Sequence, residues 1–359
     1  MKKLFALILA GAMAISMVAC SSKGSDNSGD TDSEGKLKVQ LIVSNLGDKS
    51  FNDSADTALK EMQSEGLIDY TVVEFGNDNS KAEPTMLEAA EEGYDIVCFN
   101  NLGFGIATEW LSAHAAEYPN TTFFVYDEPS QVVDADNVYL LAYRANESDY
   151  LAGIVAAMES KTGVLGFVGG QQTPVIRDFL VGFVEGARSV NPDIQVKVSY
   201  VGVYNDPIKG KDIGNDLILN QKADVIHAVA GSSGNGALEA AADNGVLSIG
   251  VDSDQYATMK DEQPTTAACV ITSSLKEVGK SLRTMIEKKI DGTLEHTGDR
   301  EWFGGEYCGI AENENYEALT TEEIRAAVDK AKAGLADGSI VVPSAYDMTE
   351  EQLVAYEKI

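Results

Sequence analysis

From Leu37 onward, short apolar runs rich in β-branched residues alternate with helix-length segments whose apolar residues recur every three or four positions. Lys38–Ser44, Tyr70–Phe75, Asp95–Asn100, Thr121–Asp127 and Asn137–Tyr143 make one series of expected strands. Gly163–Gly169, Gln195–Gly202, Asp224–Ala230, Leu247–Asp252 and Ala268–Ser273 make a second. Strands spaced by amphipathic helices are the pattern of βαβ units and parallel sheets, and two series imply two sheets. Ala55, Ala58, Leu59 and Met62 predict a helix near residue 50, with Ser50 or Asn52 as its N-cap. Glu147–Lys161 reads as a helix leading into the second series, with no Pro- or Ser-rich linker before it. Two α/β lobes joined closely are therefore expected, not beads on a string. Near the end, Thr320-x-x-Glu323 reads as a capping box ahead of Ile324, Ala327, Val328, Ala331 and Leu335, with Gly338 as the stop.

The first residues break this pattern. MKKLFALILAGAMAISMVAC sets two lysines before an apolar run too short to span a bilayer comfortably, and it ends in small residues, so residues 1–19 read as a secretory leader. Met17-Val18-Ala19-Cys20 resembles a bacterial lipobox, which would make Cys20 a lipidated N-terminus. The segment from Ser21 to Lys36 has no apolar residue and cannot bury a core, so with Cys20 it reads as a flexible tether. The remainder is long enough for two domains.

A net charge of -30 argues against nucleic-acid binding through the bulk field, and an anionic ligand would have to overcome that field locally. Cys98, Cys269 and Cys308 follow no zinc or CxxC spacing and are expected to be small core residues. No metal and no cofactor is expected.

In open α/β sheets ligands bind beyond the carboxyl ends of the strands, where loops and helix N-termini converge. The residues there are Asn45, Asn100 and Asn101, Asp127, Tyr204 with Asn205 and Asp206, Gly231–Gly236 (GSSGNG), Asp252 with Asp254, and Ser274 with Lys276. With Phe51, set among small polar residues where a helix begins, they suit a neutral polar ligand with a ring. Each has an ordinary alternative: the Asp and Asn residues as turn formers or caps, Tyr204 as a half-buried aromatic, Lys276 as a solvated cation, Phe51 as a hydrophobic staple. As a staple on an Asn52 cap, Phe51 would meet Asp56, a poor partner. GSSGNG lacks the Lys-Ser/Thr of a P-loop and the spacing of a dinucleotide fingerprint, so its glycines most simply allow close backbone approach.

Enzyme constellations are largely missing. His114, His227 and His296 have neither an HExxH partner nor a triad setting, and Asn235 stands where a nucleophile elbow needs its second Gly. Asp252 and Asp254 are the one hint of paired-carboxylate chemistry, and binding sugar hydroxyls is the less demanding role.

GDKSFNDSA, GFVGGQQTPVIRDFLVGFVEGA, VGVYNDPIKGKD, DVIHAVAGSSGNGALEAA and IGVDSDQ together resemble the basic membrane protein family of bacterial lipoproteins, substrate-binding proteins of ABC importers for purine nucleosides, of the PnrA type. The resemblance implies the type I periplasmic-binding-protein fold, two doubly wound parallel-sheet lobes joined by a hinge around a central ligand cleft. On it, residues 37–143 plus 257–303 form an N-terminal lobe and 144–256 plus 304–359 a C-terminal lobe. Phe51 and Tyr204 would sandwich the purine, with Asn52 next to Phe51 as in the family motif. Asp127 would hydrogen-bond ligand, and Asp252 would hold the ribose hydroxyls with help from Lys276 and the backbone at Gly231. Asn45 stands where the family commonly has Asp, and an amide both donates and accepts where a carboxylate only accepts. The implied partners are a purine nucleoside, an ABC permease and its ATPase, and the membrane through the N-terminal lipid only, for a monomer that is not an enzyme. A type I binding protein for a sugar or other small polar solute is the alternative.

Overall fold

Strand formation follows the apolar runs. The computed structural model describes residues 35–76, 78–100, 106–127 and 131–359. The leader, Cys20, nearly all of the tether and Asn101 lie outside the described residues. The first sheet contains β1 (Leu37–Val43), β2 (Ile68–Glu74), β3 (Ile96–Asn100), β4 (Thr122–Tyr126) and β5 (Val138–Tyr143). The second contains β6 (Val164–Gly169), β7 (Gln195–Tyr200), β8 (Val225–Val229), β9 (Leu247–Asp252) and β10 (Val270–Lys276). The short strands β11 (Glu301–Phe303) and β12 (Cys308–Ile310) complete one sheet each. The orders are β11-β5-β4-β3-β1-β2 and β12-β10-β9-β8-β6-β7, with every pairing parallel except β10 with β12. Central strands such as β4 and β8 are buried throughout, while the edge strands β2 and β7 are partly open. That is why the central ones read as continuous apolar runs.

The division of the chain differs from expectation in one place. The resemblance implies that residues 257–276 belong to the first lobe, yet β10 is hydrogen-bonded between β9 and β12 in the second sheet. The chain crosses back only after Lys276, and the helix Val278–Ile290 packs on the helix Phe51–Ser64 of the first lobe, with no room for a Cβ at Gly279, whose nearest contact would be the Ser54 carbonyl at 2.3 Å. The other crossings lie between β5 and the helix Ala145–Glu159 and between β11 and β12. Crossings this close together form a hinge, and they place the carboxyl ends of both sheets against one cleft.

Helix ends also refine the reading. The last long helix, Glu322–Asp337, is capped by Thr321 instead of Thr320, and Gly338 closes it at φ 76°. Cys98, Cys269 and Cys308 are free thiols. Burial pushes Cys308 up to about 12, so it is an inert thiol beside the hinge.

Candidate functional site

A single cleft between the sheets is lined by Asn45, Phe51, Asn52, Asp127, Tyr204, Gly231, Asp252 and Lys276, the residues singled out from strand ends and motif. Asn45, Phe51, Asn52 and Asp127 come from the first lobe and the rest from the second. Ser44, Asp48, Thr173, Val175, Ile176, Phe179, Val229, Ala230 and Ser232 complete the wall.

Lys276 is the centre of the arrangement. It ends β10 with its side chain 3% exposed, and its Nζ lies 2.9 Å from Asp127 Oδ2 across the cleft and 3.4 Å from Asp252 Oδ1. Burial opposes its charge, but the two carboxylates outweigh burial and hold the ammonium above its ordinary pKa. The same Nζ sits 4.6 Å from the Phe51 ring centroid and 4.9 Å from that of Phe179, within cation-π range. Asp127 and Asp252 both have φ 63°, the left-handed region that Asp tolerates better than most residues. Two strand-end aspartates in this conformation turn toward one lysine. Burial pushes the Asp252 carboxyl up to about 6, against the pull of Lys276 and with Asp127 adding to the rise. Its Oδ1 is buried and makes no hydrogen bond beyond the 3.4 Å ion pair with Lys276.

The loop before Phe51 is held from both sides. Ser50 occupies the N-cap position but its side chain makes no capping bond, and Asn52 lies inside the helix, so neither expected cap does that work. Asp48 replaces them. Its carboxylate accepts from the backbone N–H of Ser50 (3.0 Å), Asn52 (2.8 Å) and Asp53 (3.2 Å), which satisfies the open helix end. Burial pushes Asp48 up to about 7, with the Asn52 N–H pulling it down. Asn52 donates to the Asn45 carbonyl at 2.9 Å and accepts from Asn100 at 3.2 Å, which fixes the first-lobe wall. The second lobe grips the same loop: Asn235 donates to the Asp48 carbonyl, Thr258 to that of Lys49 and Ser253 to that of Ser50, while Lys49 pairs with Glu262 at 2.5 Å. These contacts describe closed lobes. Phe51 is accordingly only 8% exposed, packed against Tyr126 at 5.5 Å between ring centroids.

Tyr204 faces the cleft from the loop after β7. Its hydroxyl lies near Thr173 and the Gln171 backbone, and burial pushes it up to about 12. Its ring lies on the backbone of Gly170, where an added Cβ would stand 2.2 Å from Tyr204 Cε1. Gly231 opens the helix Gly231–Asn244 at φ 54° and lines the cleft beside Tyr204. Three other strand-end candidates have ordinary roles. Asp206 and Asp254 cap the helices Pro207–Leu219 and Gln255–Met259, and Asn100 braces Asn52. His227 is buried deep in β8 against Asp149 at 3.0 Å, away from the cleft wall.

A family model described as an ABC transporter substrate-binding protein, PnrA-like, matches residues 36–342. The chain belongs to this family. It is 34% identical to the ABC transporter nucleoside-binding protein BmpA of Lactococcus lactis subsp. cremoris over 96% of this chain and 100% of that one. It is 28% identical to basic membrane protein A of Borreliella burgdorferi over 98% and 99% of the two chains. A solved ABC transporter solute-binding protein from Aeropyrum pernix superimposes with a TM-score of 0.76 at 22% identity, covering 89% of this chain and 98% of that one, which shows the two-lobe periplasmic-binding fold. This PnrA-like protein is therefore a substrate-binding component of an ABC transporter and not an enzyme. Among the described residues, no helix is long and apolar enough to cross a membrane.

Sequence reading of the PnrA-like site missed Asp48, Thr173 and Phe179. Thr173 lies just past β6, so the strand-end rule points to it as it does to Asp127, and Thr173-Pro174 is a cap followed by Pro at N1. Phe179 carries no such signal, because it reads as one more apolar residue on the inner face of the helix Pro174–Val190.

Proposed function

We propose that this protein captures a purine nucleoside in the closed cleft and delivers it to its permease and ATPase partners, working as a monomer anchored outside the membrane by lipid on Cys20. The base lies between Phe51 of one lobe and Tyr204 of the other, with the amides of Asn45 and Asn52 at its edge. Asp252 accepts from the ribose hydroxyls, while Asp127, Lys276 and the backbone at Gly231 complete the polar wall. The observation that carries this reading is the pairing, in one cleft, of aromatic side chains from both lobes with a buried carboxylate whose Oδ1 makes no hydrogen bond beyond its ion pair with Lys276. A ring system with hydroxyls supplies both partners, since sugar O–H groups donate to carboxylates and an aromatic face takes a base. The Lactococcus relative is named a nucleoside-binding protein, which agrees with the reading. A phosphate is disfavoured, because it would enter a cleft whose lining side chains already include three carboxyl groups, Asp48, Asp127 and Asp252, and a single ammonium.

The test is calorimetric titration of ligand-stripped protein with inosine, hypoxanthine and ribose in turn. Inosine should bind at micromolar concentration or below, and each fragment at least tenfold more weakly. Ribose binding as tightly as inosine would replace this reading with that of a sugar receptor.

A further inference from the structure

The C-terminal segment from Ser344 follows residues 36–342, the part matched by the family model, and it is fastened to the back of the cleft wall. Ser344 Oγ and the Ala345 N–H donate to Asp178 at 2.7 and 2.8 Å. The helix Glu350–Tyr356 then carries acceptors to Arg177. Glu350 takes the two terminal guanidinium nitrogens at 2.6 and 2.9 Å, and Glu357 takes Nε at 3.0 Å. Glu357 is the less exposed of the two, its side chain 13% open against 69% for Glu350.

Glu357 has further partners. Gln172 Nε2 donates to both of its oxygens at 3.0 Å, and the Tyr200 hydroxyl donates to one at 2.9 Å. The carboxylate thus gathers the end of β7, the loop after β6 and the first turn of the helix Pro174–Val190. The loop it grips, Gly170–Thr173, is the one on which Tyr204 rests, through its ring on Gly170, with its hydroxyl near Thr173 and Gln171. Backbone bonds continue the brace, from the Gly170 N–H to the Val229 carbonyl at 2.9 Å and from the Gly202 N–H to the Gly170 carbonyl at 2.7 Å. A charged acceptor shared by three donors is rigid, because each bond restricts the others.

We infer that Glu357 is a positioning residue for ligand binding: from outside the cleft it fixes the Gly170–Thr173 loop and through it the plane of Tyr204. Its effect on affinity rests on the nucleoside reading, whereas its effect on the loop does not. Both are measured. Amide hydrogen exchange of ligand-free Glu357→Ala should rise in residues 170–173 and 202 relative to wild type, while β8 and β9 keep their protection. Unchanged exchange in that loop overturns the inference whatever the protein binds.

The second arm is a double-mutant cycle with inosine. Glu357→Ala should weaken binding at least fivefold in the wild-type background and less than twofold in Tyr204→Ala. Equal losses in both backgrounds would make Glu357 a general stabiliser and overturn its positioning role. If Glu357→Ala does not fold, Glu357→Gln, which keeps the volume and one acceptor, takes its place with the same expectations. Wild-type protein that ignores inosine while the loop loosens would refute the nucleoside assignment and leave the brace standing.

Discussion

Lowering the pH from 7.5 to 5.0 should weaken nucleoside binding about tenfold, and Asp252 should be the reason. Burial places its carboxyl at about 6 in the ligand-free closed protein, above the ordinary 3.8. The sugar hydroxyls need an acceptor, so the ionised form binds and the protonated form does not. With a pKa of about 6, roughly 97% of the carboxyl is ionised at pH 7.5 and roughly 9% at pH 5.0, a ratio of about ten. The loss should set in below pH 7 and approach tenfold per pH unit well below 6. Calorimetry with inosine across this range reads it directly. Asp48, at about 7, is the rival titrating group in the same cleft, and Asp252→Asn separates the two. That variant should bind inosine more weakly at pH 7.5 and lose most of the pH dependence. A flat profile in wild type, or a full dependence surviving in Asp252→Asn, would refute the reasoning.

Truncating Phe51 to Ala should cost both affinity and stability. Stacking contributes about 1–3 kcal/mol per base and truncating a buried Phe to Ala costs about 3–5 kcal/mol, and Phe51 belongs to the first-lobe core. Phe51→Leu distinguishes the parts: titration should show at least a fivefold loss of inosine affinity with a much smaller fall in melting temperature than for Ala, and a Leu variant binding as wild type would remove Phe51 from the stacking role. Lys276→Met leaves Asp127 and Asp252 without their shared cation. Breaking such a buried pair costs about 3–5 kcal/mol, so small-angle scattering should show a more open ligand-free particle, and unchanged dimensions and melting temperature would contradict the central role of Lys276. Asp48, Asp178 and Asp252 all have carboxyls raised by burial, to about 7, about 7 and about 6. Raised acids favour the folded state when protonated, and that contribution is lost as pH rises through these values, so the melting temperature should fall between pH 5 and pH 8. A melting temperature that climbs over this range would show that the carboxylates are better paired than their burial implies.

Much of the cleft was legible because strand ends are legible. An apolar run followed by Asp, Asn or Tyr names both the strand and the residue that leaves it, and this placed Asn45, Asp127, Tyr204 and Asp252 in one cleft. Asp48 was hidden by proximity, since Ser50 and Asn52 are as good caps by type and only loop geometry decides that the carboxylate two residues before Ser50 reaches the helix end. Phe179 was hidden because a helical face turned to a cleft has the same period as one turned to a core. The lobe boundary was misplaced because β10 reads the same in either sheet, and only its pairing with β9 and β12 decides. Glu357 and its donors lie 157 to 185 positions apart in the chain, a separation at which spacing says nothing.

The most direct test of the central claim is a crystal structure of the ligand-stripped protein soaked or grown with inosine. The account predicts a purine ring between Phe51 and Tyr204, with ribose hydroxyls on Asp252. Inosine bound elsewhere, or with its ribose in the aromatic slot and its base in solvent, would contradict it.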